Sequence, residues 1–213
     1  VHAAKFVKKS GADSITIHLR EDRRHINDLD AKKICLIKNL LVNLEVSTNS
    51  KIIKTALKIK PDFICIVPEN RKEITTEGGL NLKKNKHKIK KIISTFQKKK
   101  IRTSLFINPN ISDIFLSKKL GAKCVELHTG KISNKIKNKK NFVKELIKIK
   151  KCAIYAQNVG LEVHAGHGID FKTAKILSKI NQIKEFNIGH FIIGESIFDG
   201  YKKIIKKFIR IIR

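Results

Sequence analysis

Histidines and carboxylates recur at the ends of apolar runs in this chain, at spacings that put them on one side of an extended backbone. In SITIHLR (14–20), Thr16, His18 and Arg20 alternate with Ile15, Ile17 and Leu19. In VNLEVS (42–47), Asn43, Glu45 and Ser47 alternate with Val42, Leu44 and Val46. In CVELHT (124–129), Glu126 and His128 oppose Val125 and Leu127. A carboxylate enclosed without partners is costly, and its pKa rises. Glu45 and Glu126 therefore read either as acid–base groups or as members of a structural polar network, and for each alone the two readings weigh the same. Two such residues beside several histidines at one rim favour proton transfer.

Glycine-containing turns add a second chemistry. HAGHGID (164–170) follows one apolar run, NIGHFIIGES (187–196) contains the end of another and its exit, and Gly168 and Gly189 permit an approach that a side chain would block. Such turns cradle phosphate with backbone N–H groups and a helix N-terminus. The segment VPENRKEITTEGGL (67–80) is too long and polar for a simple connector. A metal is the competing reading, with His164-x-x-His167 supplying two ligands and Glu126 or Glu45 a third. That pair lies at a strand-to-loop junction, and no Cys or Asp completes a familiar spacing, so no metal is expected. His2 and His87 read as solvated, and His164 equally as a satisfied core histidine.

These residues need elements to position them. Strand-like runs occur at 14–19, 42–46, 63–68, 103–108, 124–129, 161–166 and 185–190, alternating with segments whose apolar residues repeat at spacings of three and four. Strict alternation implies parallel strands joined by right-handed crossovers. Seven evenly spread units and no G-x-G-x-x-G after the first strand favour a TIM-type (β/α)8 barrel over an open doubly wound sheet. VHAAKFVKKSG reads as a helix without its preceding strand, so one domain over 1–213 is expected, with the first barrel strand missing. In such a barrel the polar set faces the axis at the C-terminal mouth, where active sites sit.

The formal net charge of +29 invites nucleic acid as a partner. Its distribution argues otherwise: lysines lie on nearly every helical segment, and the runs at 83–91 and 131–141 have no aromatic residues interleaved for base stacking. Lys, Ile and Asn share A/T-rich codons, so compositional drift explains the charge at least as well as function does. Cys35, Cys65, Cys124 and Cys152 lie far apart inside apolar runs, as reduced thiols of a cytoplasmic protein would. No apolar stretch is long enough to cross a bilayer, so no membrane partner is expected.

In order and spacing, GADSITIHLREDRRHI, VNLEVS, VPENRKEITTEGGL, SLFIN, VELHTG, HAGHG and NIGH resemble the blocks of the pyridoxine 5′-phosphate synthase family. The resemblance implies an oligomeric α/β barrel that condenses 1-deoxy-D-xylulose 5-phosphate with 3-amino-2-oxopropyl phosphate, needing neither metal nor organic cofactor. It implies that His18 and Glu45 accept protons, that His167 donates one, and that Glu126 stabilises a transition state. Arg20, His25 and Thr75 would hold the deoxyxylulose phosphate, and Gly168, Gly189 and His190 the amino-ketone phosphate. The family's Asn-x-Asp-His block and an arginine of the first strand and its loop have no counterpart, so the 213-residue chain is expected to bind substrate poorly. Asn108, His164 and Glu195 stand where Asp, Asn and a basic residue are common in the family. Two other readings stay open at this point, another phosphate-binding barrel enzyme and a non-catalytic basic protein that binds nucleic acid. The first would be favoured by a Schiff-base lysine inside a strand, and no run above has an interior lysine.

Overall fold

A computed structural model describes residues 1–69 and 78–213. Helix α1 (His2–Lys9) comes first, followed by β1 (Ser14–His18), α2 (Asp28–Cys35), β2 (Leu41–Val46), α3 (Ser50–Ile59) and β3 (Phe63–Ile66). Then come α4 (Lys86–Gln97), β4 (Arg102–Ile107), α5 (Ile111–Leu120), β5 (Cys124–His128), α6 (Gly130–Lys137) and α7 (Val143–Asn158). The chain continues through β6 (Glu162–Gly166), α8 (Phe171–Leu177), β7 (Ile183–Asn187), α9 (His190–Asp199) and α10 (Tyr201–Ile212).

The strands form one sheet in chain order, every neighbouring pair parallel. The seven expected strands are all present, with no end shifted by more than three residues. The largest shift is in the last, where the run read as 185–190 is strand at Ile183–Asn187, and Gly189 and His190 open α9 instead. The reason is local: after Asn187 the chain must turn into a helix, and Gly189 is its N-cap residue.

Side chains separate the two faces as the alternation demands. Val42, Leu44 and Val46 are fully buried in the layer between sheet and helices, while Cys65, Val67 and Phe106 form a separate apolar cluster on the opposite face. The sheet curls far enough for inward side chains of distant strands to touch. Thr16 of β1 donates to Asn187 Oδ1 of β7 at 2.6 Å, although β1 and β7 share no ladder among the described residues. Outside, the first and last helices meet. Phe6 of α1 meets Tyr201 of α10 edge-on at 6.4 Å, and Arg213 pairs with Asp13 at 2.7 Å.

The N-terminal end of the enclosed space is filled by charge. Arg102, the first residue of β4, stacks over Phe63 at 4.0 Å and pairs with Glu162 at 2.7 Å and Glu185 at 3.8 Å. His164 lies 2.8 Å from Glu162 and 3.4 Å from Glu185. Helix caps are set by sequence too: Asn27 and Asp30 make a reciprocal capping box, and Asn49, Asn110 and Asp170 each accept a backbone N–H of their own helix's first turn. Among the described residues no helix is long and apolar enough to cross a membrane.

Candidate active site

The site begins where β1 and β2 end side by side. His18 and Glu45 are register partners, and both point inward, with His18 Nδ1 3.5 Å from Glu45 Oε2. Burial, aided by the charges of Arg20 and His25, lowers the His18 pKa to about 4, so the imidazole is neutral at neutral pH. Burial also raises the Glu45 pKa to about 7. The pair thus joins a neutral imidazole to a carboxyl that gains and loses its proton near neutrality.

Glu126 faces them from β5 and is only 2% exposed. Its Oε2 accepts from Asn187 Nδ2 at 2.9 Å and from the Cys65 thiol at 3.7 Å. Burial first, then the charges of Glu45 and Glu185, push its pKa well above the carboxylate range. One carboxyl poised near 7 and another held higher is an arrangement that divides base from acid. Asn187 also accepts from Thr16, which in turn accepts from Asn43 Nδ2 at 3.3 Å, so a polar chain spans β2, β1, β7 and β5.

His167 sits in the turn that leaves β6. Both His167 (φ 81°) and Gly168 (φ 73°) are left-handed, which suits glycine but strains histidine by about 1–3 kcal/mol. The strain is held by Thr129, whose hydroxyl lies 2.8 and 2.7 Å from the carbonyl oxygens of Gly166 and His167, while its N–H donates to Gly166 at 2.8 Å. The His167 ring leans on His128 at 4.7 Å, and His128 meets Phe106 edge-on at 5.4 Å. Burial, then the neighbouring His167, lowers the His128 pKa to about 4, and its Nε2 accepts the Gly78 N–H at 3.4 Å. A side chain at Gly166 would strike the Glu126 carboxyl, so the strand that carries His167 also packs on Glu126.

Two rims flank this centre. On one, Arg20 is buried with its Nε 3.8 Å from both Asp22 and Glu69, and His25 is exposed on the same β1–α2 connection. On the other, Gly189 and His190 are exposed at the start of α9. A Cβ at Gly189 meets nothing within 4 Å, so the protein's own packing does not require glycine there.

Residues 1–213 match the family model described as pyridoxal phosphate biosynthesis protein PdxJ. The chain belongs to this family. A PdxJ-family relative, the pyridoxine 5′-phosphate synthase of Pelagibacter ubique (strain HTCC1062), is 64% identical over 205 residues, which cover 96% of this chain and 86% of that one. The synthase of Blochmanniella floridana is 42% identical over 206 residues, covering 97% and 83%. Solved structures of other proteins share the fold. The BexX/CysO complex of Amycolatopsis orientalis aligns with a TM-score of 0.68 at 9% identity, covering 99% of this chain and 82% of that one. A phosphoribosylanthranilate isomerase from Thermotoga maritima aligns at 0.65 and 12% identity, covering 99% and 92%.

Of the PdxJ-type residues expected from sequence, His18 and Glu45 are in contact, and Glu126 adjoins the strand of His167. Arg20 lies against the His18 segment, and Gly168, Gly189 and His190 lie at the ends of β6 and β7. Thr75 falls outside the described residues. The two histidines read as a possible metal pair have different partners. His164 turns to the floor and bonds Glu162, while His167 turns to the mouth against His128. Cys124, Glu162 and His164 approach one another closely enough to ligate, but Arg102 already occupies Glu162 there. His164 is thus a core histidine satisfied at Nε2 by Glu162, while its Nδ1, 3.4 Å from Glu185, has no hydrogen-bond partner among the described residues. Sequence reasoning left three contributors unassigned: Asn187, His128 and Glu69. The signal for the last was available, because Cys65, Val67 and Glu69 continue one alternation past the end of β3.

Proposed function

We propose that this PdxJ-family chain acts as a pyridoxine 5′-phosphate synthase, condensing 3-amino-2-oxopropyl phosphate with 1-deoxy-D-xylulose 5-phosphate and releasing phosphate and water. The observation that carries the reading is the 64% identity to the Pelagibacter ubique synthase over nearly the whole chain. The amine of one substrate attacks the ketone of the other to give an imine, and eliminations, ring closure and aromatisation follow. Each step moves a proton. In this reading Glu45 and neutral His18 accept protons, His167 donates one to a leaving oxygen, and Glu126 stabilises charge as it develops. Arg20, His25 and Thr75 take the sugar phosphate. Gly168, Gly189 and His190 take the other phosphate, helped by the positive end of α9.

The same support extends to the whole molecule. β1 and β7 are the edges of the sheet, helices α1 and α10 meet beside them, and a parallel strand pairing with both edges would complete an eight-stranded barrel. Ile197 and Phe198 of α9, 78% and 87% exposed, offer apolar surface for a homo-oligomer. Free cysteines suit a cytoplasmic setting.

The direct test purifies the protein, supplies both substrates, and follows pyridoxine 5′-phosphate by its absorbance against released phosphate. Equal amounts of both are expected; phosphate without the pyridine product, or neither, overturns the reading. A second experiment separates binding from folding. Gly189→Ala should leave the thermal midpoint in place, because its methyl group meets no protein atom. It should raise KM for the amino-ketone phosphate by about 10–100-fold, the worth of one or two charge-assisted hydrogen bonds. An unchanged KM would remove Gly189 from the phosphate pocket.

A further inference from the structure

Three residues past the end of β3, Glu69 leaves only 1% of its side chain exposed. Its Oε1 accepts the Glu21 N–H at 2.9 Å and lies 3.8 Å from Arg20 Nε. Its Oε2 lies 3.7 Å from His18 Nε2. One carboxyl group therefore touches residues 18, 20 and 21, the end of β1 and the start of its loop. The loop is tied on its other side through Glu21, which accepts from Ser47 Oγ at 2.7 Å and Asn49 Nδ2 at 3.0 Å.

His18 is thereby flanked by two carboxyl groups, Glu45 toward Nδ1 and Glu69 toward Nε2. Among the described residues, His18 Nε2 and Glu69 Oε2 are both shut off from solvent and lack hydrogen-bond partners. A buried polar atom left so costs about 1–3 kcal/mol. Closing the gap by roughly 1 Å would satisfy both atoms with a single proton. A carboxylate bonded to one nitrogen of an imidazole fixes which nitrogen carries the proton and frees the other to act. Burial raises the Glu69 pKa, opposed by the Glu21 N–H and Arg20.

We propose that Glu69 is a positioning residue of this active site: it holds the proton of His18 on Nε2, leaves Nδ1 as the accepting atom beside Glu45, and fixes the segment bearing Arg20. The inference rests on the synthase reading for its kinetic arm alone, since the protonation of His18 is read without substrate.

The experiment labels the histidines with 15N and assigns His18 through the loss of its signals in His18→Asn. Wild type at pH 7.5 should show His18 as the Nε2–H form. Glu69→Gln should move it toward a mixture and lower kcat about 10–100-fold with a smaller change in KM, and Glu69→Asp should restore part of both. A wild-type His18 carrying its proton on Nδ1 overturns the proposal, whether or not any variant folds. So does a Glu69→Gln protein with an unchanged imidazole spectrum. Failure to make pyridoxine 5′-phosphate in the wild type would sink the synthase reading and leave the spectroscopic result standing.

Discussion

Glu45→Gln is expected to lower kcat by about 10²–10⁴-fold while making the protein more stable in mild alkali. Both effects come from one carboxyl. Its pKa rises from the 4.5 of a free glutamate to about 7, because burial disfavours the charge. The folded protein thus binds this proton more tightly than the unfolded chain does. Folding takes up a proton between pH 4.5 and 7, so stability declines across that window and the full penalty applies above pH 7. Glutamine keeps the shape without the charge and removes up to about 3 kcal/mol of that penalty. Kinetics move the other way. The wild type should gain kcat/KM as pH rises through about 7, where Glu45 becomes the ionised base, and the variant should lose that limb. Urea unfolding at pH 6 and 8, beside a pH–rate profile, reads both quantities. A variant that keeps the limb near pH 7, or that is less stable at pH 8, would show that Glu45 is not the titrating base. This trade of stability for a poised group is what a strained active site produces.

Gly79→Ala should damage the fold and the site together. Gly79 lies against the end of β4, and a Cβ there would fall 2.5 Å from the Ile107 carbonyl carbon and 2.7 Å from Ile107 Cα. Those are main-chain atoms of a strand that pairs with β3 up to Leu105 and with β5 as far as Ile107, so β4 has little freedom to retreat. The segment itself must lift. It is held by three N–H groups: Gly78 to His128 Nε2, Gly79 to Asn108 Oδ1 at 3.1 Å, and Leu80 to Phe106 at 2.9 Å. Asn108 accepts here through a side-chain oxygen that an aspartate would equally supply. Overpacking of this kind costs about 1–3 kcal/mol, a fall of roughly 2–10 °C in thermal midpoint for a domain of this size. Activity should fall further than stability explains, by tenfold or more (about 1.4 kcal/mol), because the lifted segment takes a donor from the imidazole that braces His167. Scanning calorimetry and kcat/KM measured well below the transition separate the two losses. Full activity with a lowered midpoint would show that the segment supports the barrel alone.

Local alternation determined a good deal of this protein. Thr16, His18, Asn43, Glu45 and Glu126 face inward because each strand must bury its aliphatic side under helices, which leaves the other side for the axis. The order of strands followed from the regular β/α repeat, and the inward-facing candidates could be named before any contact was known. His25 and Thr75 rest on family resemblance, since neither belongs to a periodic element. What alternation cannot encode is depth along the barrel and distance across it. His164 and His167 are three residues apart in sequence yet serve opposite ends, because one points down the axis and the other lies in the turn above. Thr16 and Asn187, 171 positions apart, are in hydrogen-bond contact only because the sheet curls until its two edges nearly face each other. The poised pKa of Glu45 and the raised one of Glu126 arise from that same enclosure, since desolvation and mutual charge exist only once the strands have closed around them.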